Sequence, residues 1–395
     1  MKYKIINGKI ITPGRIISGG CLCLENGKIR DLSETDVDFP NAEIIDVQGC
    51  YVSPGFIEMH THGGGGCDFM DGTVEAYLHI ANTHAQHGTT SLYPTTLAST
   101  PEELFRTFEI YRQAKVQNSR GASMMGLHLE GPYFAMNQRG AQDPRYIRNP
   151  HPDEYLPALD ASDDIARWSE APELEGSREF ARALVSRGIL PAIAHSDATC
   201  EEVQRAFDWG FTHVTHLYSG TSTVCRHNGF RHAGIIEAAY LMDRLSVEMI
   251  ADGAHLPSSL LQLIYKIKGA GMTALTTDSM RAAGTDVTKT VLGSLTNGME
   301  VIVEDGVAKL PDRTAFAGSV ATADRLVRTM LALTSAPLLE VIQMMTSTPA
   351  RIMGIDRTKG SLAAGKDADI VIFDDDIRIK MTIINGKIVY NSAQV

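Results

Sequence analysis

His60 and His62 stand one residue apart in the run Phe56-Ile57-Glu58-Met59-His60-Thr61-His62. Residues i and i+2 of a β-strand share a face, so both imidazoles can aim at one centre. Alone, such a pair is more often structural than liganding. Other groups change that balance. Glu130, His195, His216 and Asp278 each end a short apolar run, and His255 lies just past another. Four imidazoles and two carboxylates gathered at one place make a metal site. Nitrogen and oxygen donors without thiolate suit Zn²⁺, Fe²⁺, Mn²⁺ or Co²⁺. Asp278, in Thr276-Thr277-Asp278-Ser279, reads either as a helix N-cap or as an acid–base group. In the second role it takes a proton from activated water and returns it to a leaving amine. Gly63-Gly64-Gly65-Gly66 reads as a flexible loop. His79, His84, His87, His151 and His213 read as structural, and His128 as a buried or supporting group.

These residues meet only if the elements bearing them share an end. Eight β-branched or apolar runs, at about 51–58, 89–94, 125–130, 166–171, 190–195, 212–216, 246–252 and 273–278, alternate with helical stretches. Pro101 to Gln117 opens with Pro at a helix start, and Glu179 to Arg187 follows a candidate Ser177 cap. Eight βα repeats fit a (β/α)8 TIM barrel, whose strand C-termini all point to one mouth. A doubly wound sheet is the alternative. No Gly-x-Gly-x-x-Gly follows the first strand, however, and no Walker loop appears. Helices at about 319–333 and 336–346 close the barrel.

The ends of the chain differ from its middle. Ile5-Ile6-Asn7-Gly8-Lys9-Ile10 recurs as Ile383-Ile384-Asn385-Gly386-Lys387-Ile388, and Asn26-Gly27 supplies a third copy of the turn. Asn-Gly between alternating apolar residues signals a hairpin, because a type I′ turn needs φ > 0 at both central positions. With Asp369-Ile370-Val371-Ile372-Phe373, these strands predict a small β-sandwich. Residues 1–53 plus 355–395 are expected to form it, with 54–354 as the barrel.

Composition narrows the class. The 395 residues are 44% hydrophobic and 21% charged, ordinary values for a folded core. A formal charge of -11 disfavours nucleic acid and anionic membranes as partners. No run approaches the ~18 apolar residues of a membrane span. Met1-Lys2-Tyr3-Lys4 leads into a strand pattern rather than a signal peptide. Cys21, Cys23, Cys50, Cys67, Cys200 and Cys225 are scattered and read as reduced thiols of a cytoplasmic protein.

Pro54-Gly55-Phe56-Ile57-Glu58-Met59-His60-Thr61-His62-Gly63 and Gly360-Ser361-Leu362-Ala363-Ala364-Gly365-Lys366-Asp367-Ala368-Asp369-Ile370-Val371 resemble signatures of the amidohydrolase superfamily. Within it, several segments resemble the N-acetylglucosamine-6-phosphate deacetylase family. They are Gly126-Leu127-His128-Leu129-Glu130-Gly131-Pro132-Tyr133, Arg139-Gly140-Ala141-Gln142-Asp143-Pro144, Thr215-His216-Leu217-Tyr218, Ala251-Asp252-Gly253-Ala254-His255, Thr277-Asp278 and Phe316-Ala317-Gly318-Ser319. The likeness spans essentially the whole chain. The fourth run, Ala166-Arg167-Trp168-Ser169-Glu170-Ala171, holds no lysine to carbamylate, unlike dihydroorotase or hydantoinase types. The His-x-x-Glu helix motif of adenosine deaminases is not found.

The resemblance implies hydrolysis of the acetamide of an amino-sugar 6-phosphate, with one or two divalent ions, zinc first among them. It implies ligands Glu130, His195 and His216, a second ion at His60 and His62, and Asp278 as the acid–base group. Ala141, Gln142, Ser219, Gly220, His255, Phe316, Ala317 and Gly318 are implied in substrate binding. It further implies a homodimer or homotetramer, with a neighbouring subunit near the phosphate. One stretch departs from the pattern. After Tyr218 the family has Asn-Ala-Met and a short loop with an Arg, whereas here Ser219-Gly220 opens a longer one. Arg231 best fits the phosphate-binding Arg, and Arg226 comes second. That departure leaves a different N-acetyl amino-sugar phosphate, or a cyclic amide, as the alternative substrate. A non-catalytic scaffold is the reading from another class, and the filled ligand positions argue against it.

Overall fold

A computed structural model describes residues 1–394. Eight parallel strands form its centre: β1 (Phe56–Thr61), β2 (Thr89–Pro94), β3 (Leu127–Glu130), β4 (Ile165–Glu170), β5 (Leu190–Ile193), β6 (His213–Val214), β7 (Ser246–Ile250) and β8 (Thr273–Thr276). β1 pairs with β2, and β3 to β8 pair in sequence order. Parallel bridges Thr95↔His128 and Thr61↔Ser279 join β2 to β3 and β8 to β1, so the sheet closes on itself. This is the expected (β/α)8 barrel. Helices cover it outside, so its strands are buried on both faces and read as near-continuous apolar runs.

The first expected strand divides in two. Tyr51–Pro54 pairs with Ile370–Phe373 in a terminal sheet, and the barrel strand starts at Phe56. Gly55 makes the junction possible, because a Cβ there would lie 2.2 Å from the methyl and hydroxyl of Thr90. Pro101–Gln117 is helical as expected, with a reciprocal Thr100–Glu103 capping box. The next expected helix begins earlier, at Ser177–Ser186, with Gly176 rather than Ser177 as its cap. The Ser177 hydroxyl instead donates to Glu170 and to the Ala171 carbonyl, both at 3.1 Å.

A larger difference follows β8. Four antiparallel strands, Lys289–Leu292, Met299–Glu304, Val307–Lys309 and Phe316–Ser319, stand before the closing helices Ala323–Leu333 and Leu338–Met345. The turn at Asp305-Gly306, both with φ > 0, is the Asp-Gly hairpin signal that locates them. A second added hairpin, Cys225–His227 with Phe230–His232, turns at Asn228-Gly229.

The chain ends form a sandwich. One sheet carries Lys28–Ser33, Cys21–Glu25, Lys2–Ile6 and Glu43–Asp46. The other interleaves Lys387–Asn391, Ile379–Ile384 and Ile370–Phe373 with Tyr51–Pro54, Lys9–Thr12 and Arg15–Ser18. Ile5, Leu22 and Leu24 of the first sheet share a core with Ile10, Val52, Ile370 and Ile383 of the second. Asn26-Gly27 and Asn385-Gly386 are hairpin turns as expected. Asn7-Gly8 is not. Lys2–Ile6 and Lys9–Thr12 pair with different partners, so the chain crosses here between sheets. Gly8 lets it pass, because a Cβ there would stand 2.7 Å from Val52.

All six cysteines are free, and among the described residues no helix is long and apolar enough to cross a membrane. Beside the barrel mouth, Trp168 of β4 is fully buried, stacked on Tyr133 and edge-on to Phe180. Its Nε1–H donates to the Gly131 carbonyl at 2.8 Å, next to Glu130. Trp168→Ala should therefore cost about 3–5 kcal/mol through cavity formation, read as a lowered midpoint in denaturant unfolding.

Candidate metal centre

Where the barrel strands stop, the backbone turns sharply. His195, His216 and Asp278 each lie two residues past a strand, with φ of 47°, 25° and 47°. A left-handed backbone costs a non-glycine residue ~1–3 kcal/mol and persists only where its surroundings enforce it. Here the turn aims all three side chains into the mouth that His60, His62 and Glu130 enter from β1 and β3.

Six groups converge there. Glu130 Oε1 lies 3.0 Å from His216 Nε2, 3.3 Å from His195 Nε2 and 3.5 Å from His60 Nε2. Its Oε2 lies 3.4 Å from His62 Nε2. Asp278 Oδ1 stands 3.2 Å from His62 Nε2 and 3.3 Å from His60 Nε2. The two imidazole nitrogens are 3.3 Å apart. Donors ~2.1 Å from one tetrahedral ion stand ~3.4 Å from each other, so the spacing is that of a coordination shell. Two sets qualify among the described residues: His60, His62 and Asp278, and His60, Glu130 and His216.

The electrostatics ask for positive charge at the same point. Burial works against a charged His60 and His62, yet Glu130 and Asp278 outweigh it. His60 is raised well above the usual histidine range and His62 to about 9. Burial also opposes ionisation of Glu130 and Asp278, but the facing imidazoles hold both carboxyls below their ordinary values. Protons on imidazoles and a divalent cation answer the same demand, and this donor set fits a metal ion.

A polar layer beneath holds the ligands in place. His195 Nδ1–H donates to the Gln138 carbonyl at 2.7 Å, and His60 Nδ1 faces Glu248 Oε2 at 3.4 Å. Such partners fix the tautomer that leaves Nε2 free. Glu248 also binds the fully buried Arg167 and accepts the His216 amide at 3.3 Å. Burial pushes Glu58 up to about 7, against the hydrogen bonds it accepts from Thr276, Thr277 and the His60 amide. His128 bonds Ser169 at 2.7 Å and packs edge-on to His60, while His213 bonds Ser246 at 2.8 Å. His84 contacts the Gly63 carbonyl at 3.1 Å and is lowered to about 4, chiefly by burial.

Above the donors opens a cavity of about 530 Å³. Ala141, Gln142, Ser219, Gly220, His255, Phe316 and Gly318 line it. Gln142 does so with both ends of its amide engaged. Its Nε2 donates to Glu130 at 2.8 Å and its Oε1 accepts the Ala98 amide. His255 Nδ1 is fixed 2.8 Å from Asp252. Ala317 is fully buried behind its neighbours and absent from the wall. Arg231 is absent too. It lies exposed on the Phe230–His232 hairpin strand, donating to the Gly229 carbonyl, because the longer loop folds outward. The cations that do line the cavity, Lys309 and Arg313, belong to the inserted four-stranded sheet. Sequence reasoning missed both. The Asp305-Gly306 turn, close after Asp278, was the available signal.

The chain resembles known proteins over nearly its whole length. The amidohydrolase family profile matches residues 51–389. N-acetylglucosamine-6-phosphate deacetylase from Bos taurus is 30% identical over 398 residues, covering 96% of this chain and 95% of that protein. The enzyme of that name from Bacillus subtilis is 30% identical, covering 98% and 96%. The crystal structure of the Pasteurella multocida deacetylase superimposes with a TM-score of 0.91 at 28% identity, over 98% and 99% of the two chains. A mutant of the Mycobacterium smegmatis enzyme, in complex with N-acetyl-D-glucosamine-6-phosphate, gives 0.90 at 27%, over 99% and 100%. With a closed barrel, a terminal sandwich and a mouth of imidazoles and carboxylates, the chain belongs to the amidohydrolase family, among its N-acetylglucosamine-6-phosphate deacetylases.

Proposed function

We propose that the protein hydrolyses the acetamide of N-acetylglucosamine 6-phosphate, releasing acetate and glucosamine 6-phosphate. The observation that carries this reading is the convergence of Glu130, four imidazoles and Asp278 on the floor of one sugar-sized cavity. Glu130, His195 and His216 would hold one divalent ion, with His60 and His62 beside Asp278 as the place for a second. When bound, such an ion lowers the pKa of water from ~15.7 toward ~7 and polarises the acetamide carbonyl.

The remaining work falls to side chains. Asp278, held ionised by His60 and His62, takes a proton from water as its oxygen adds to the carbonyl carbon. His255, its Nδ1–H donating to Asp252, lines the cavity over the metal donors. Asp278 then gives the proton to the departing nitrogen as the C–N bond breaks, so water is consumed and acetate and amine leave. Gln142 holds Glu130 in register throughout.

Nitrogen and oxygen donors without thiolate support zinc as the ion. Six free cysteines support a cytoplasmic location. The exposed Phe230 of the added hairpin and Val224 just before it support a homodimer or homotetramer.

Acetate release should be fastest from N-acetylglucosamine 6-phosphate, when it is assayed beside N-acetylgalactosamine 6-phosphate and the two unphosphorylated sugars. Equal rates on all four would remove the assigned substrate. Asp278→Asn should lower kcat by ~10²–10⁴ while at least one metal equivalent stays bound, measured by elemental analysis alongside the assay. Glu130→Gln should lose metal during dialysis that leaves the parent loaded; retention would reassign the ligands.

A further inference from the structure

Glu173 stands three residues past the end of β4 and takes no part in the cavity wall. It belongs to neither set of metal donors. Both of its carboxylate oxygens are committed to the residues that follow His195. Oε2 accepts the Ser196 hydroxyl and Oε1 the Asp197 amide, each at 2.6 Å. His195 itself lies two residues past β5. A side chain from the neighbouring strand end therefore grips the turn that carries a ligand.

That turn needs an outside hold. His195 has a φ of 47°, a left-handed backbone that a residue with a Cβ seldom keeps unaided. It is also the most exposed of the four imidazoles in the mouth, at 8% against 3% or less for His60, His62 and His216. His216, strained in the same way, has its amide accepted by Glu248 from inside the barrel at 3.3 Å. Past His195, Glu173 supplies the equivalent carboxylate from outside.

The same network reaches the ring. Asp197, its amide held by Glu173, accepts Gln138 Nε2 through its own carboxylate at 2.6 Å. The Gln138 carbonyl in turn accepts His195 Nδ1–H at 2.7 Å, which leaves Nε2 facing Glu130. Turn and ring are thus tied to one carboxylate. Keeping it there is costly, since burial pushes the Glu173 carboxyl up against the hydrogen bonds it accepts. Glu170, the other buried carboxylate at this strand end, accepts the Ser177 hydroxyl instead.

We propose that Glu173 is a positioning residue for the metal centre: by gripping Ser196 and Asp197 it keeps His195 Nε2 aimed at the ion site shared with Glu130 and His216. The proposal rests on the metal-dependent reading above. Glu173 touches neither substrate nor ion and acts through His195.

The test uses the full-length protein loaded with Co²⁺, whose visible absorption reports ligand number and geometry. Glu173→Ala should lower Co²⁺ affinity about 10–100-fold in competition with a chelator, and should change the spectrum. Its kcat on N-acetylglucosamine 6-phosphate should fall about tenfold with KM nearly unchanged. Glu173→Gln, which keeps an acceptor for the Asp197 amide, should recover most of each loss. Glu170→Gln should match the parent in affinity, spectrum and kcat. A merely structural tie would lower the unfolding midpoint of Glu173→Ala and leave Co²⁺ affinity and spectrum at parent values. That result overturns the proposal. Should Glu173→Ala fail to fold, Ser196→Ala, which loses one of the two bonds, takes the same measurements with a smaller expected shift. Parent values there overturn the proposal equally. A parent that takes up no Co²⁺ overturns the metal reading and this role together. If the parent binds Co²⁺ but deacetylates no sugar, the deacetylase reading fails, and affinity and spectrum decide Glu173 by themselves.

Discussion

A carboxylate buried at the bottom of a pocket must be given positive charge or give up its own. Glu130 is that group, only 2% exposed and ringed by four imidazoles. Because isolated buried charge is so costly, everything nearby is arranged to answer it. Asp278 adds a second negative charge at the same point and sharpens the demand. The left-handed turns at His195, His216 and Asp278 are tolerated because the side chains they aim inward satisfy it.

The same constraint extends down the barrel. Under His60 lies a buried pair, Arg167 and Glu248, whose charges would each be expensive alone. Thr215, Ser169 and His128 continue the network across β6, β4 and β3, with Arg167 donating to Thr215 at 2.6 Å. An all-apolar barrel interior would pack as well and be simpler to fold. Polar layers in its place hold imidazole rings at fixed angles, as a preformed coordination shell requires.

How much of this is legible in the linear sequence depends on the kind of signal. Strand-end placement of His60, Glu130, His195, His216 and Asp278 is readable, because apolar runs mark the strands and the barrel rule supplies a common mouth. The Asn26-Gly27 and Asn385-Gly386 hairpins are readable from turn chemistry. Asn7-Gly8 has the same letters but a different role. Which strand pairs with which is settled by the sandwich core around Val47 and Val52, and no local pattern records that. Arg231 shows a second limit. A motif can place an arginine within a loop, but the direction in which the loop folds depends on its length and its own Asn228-Gly229 turn. Lys309 and Arg313 illustrate a third, since they reach the cavity through an insertion whose strands are short and partly exposed.

The sheet shared by the two termini sets an order of events. Val52, just ahead of the strand carrying His60, lies in register with Ile372, more than three hundred positions later. The Gly55 amide is capped by the Asp369 carbonyl at 2.9 Å. During synthesis the early segment therefore waits with an open edge until its distant partner emerges, a closure of high contact order. A ribosome stalled short of that last sheet carries a barrel whose first rung is unanchored.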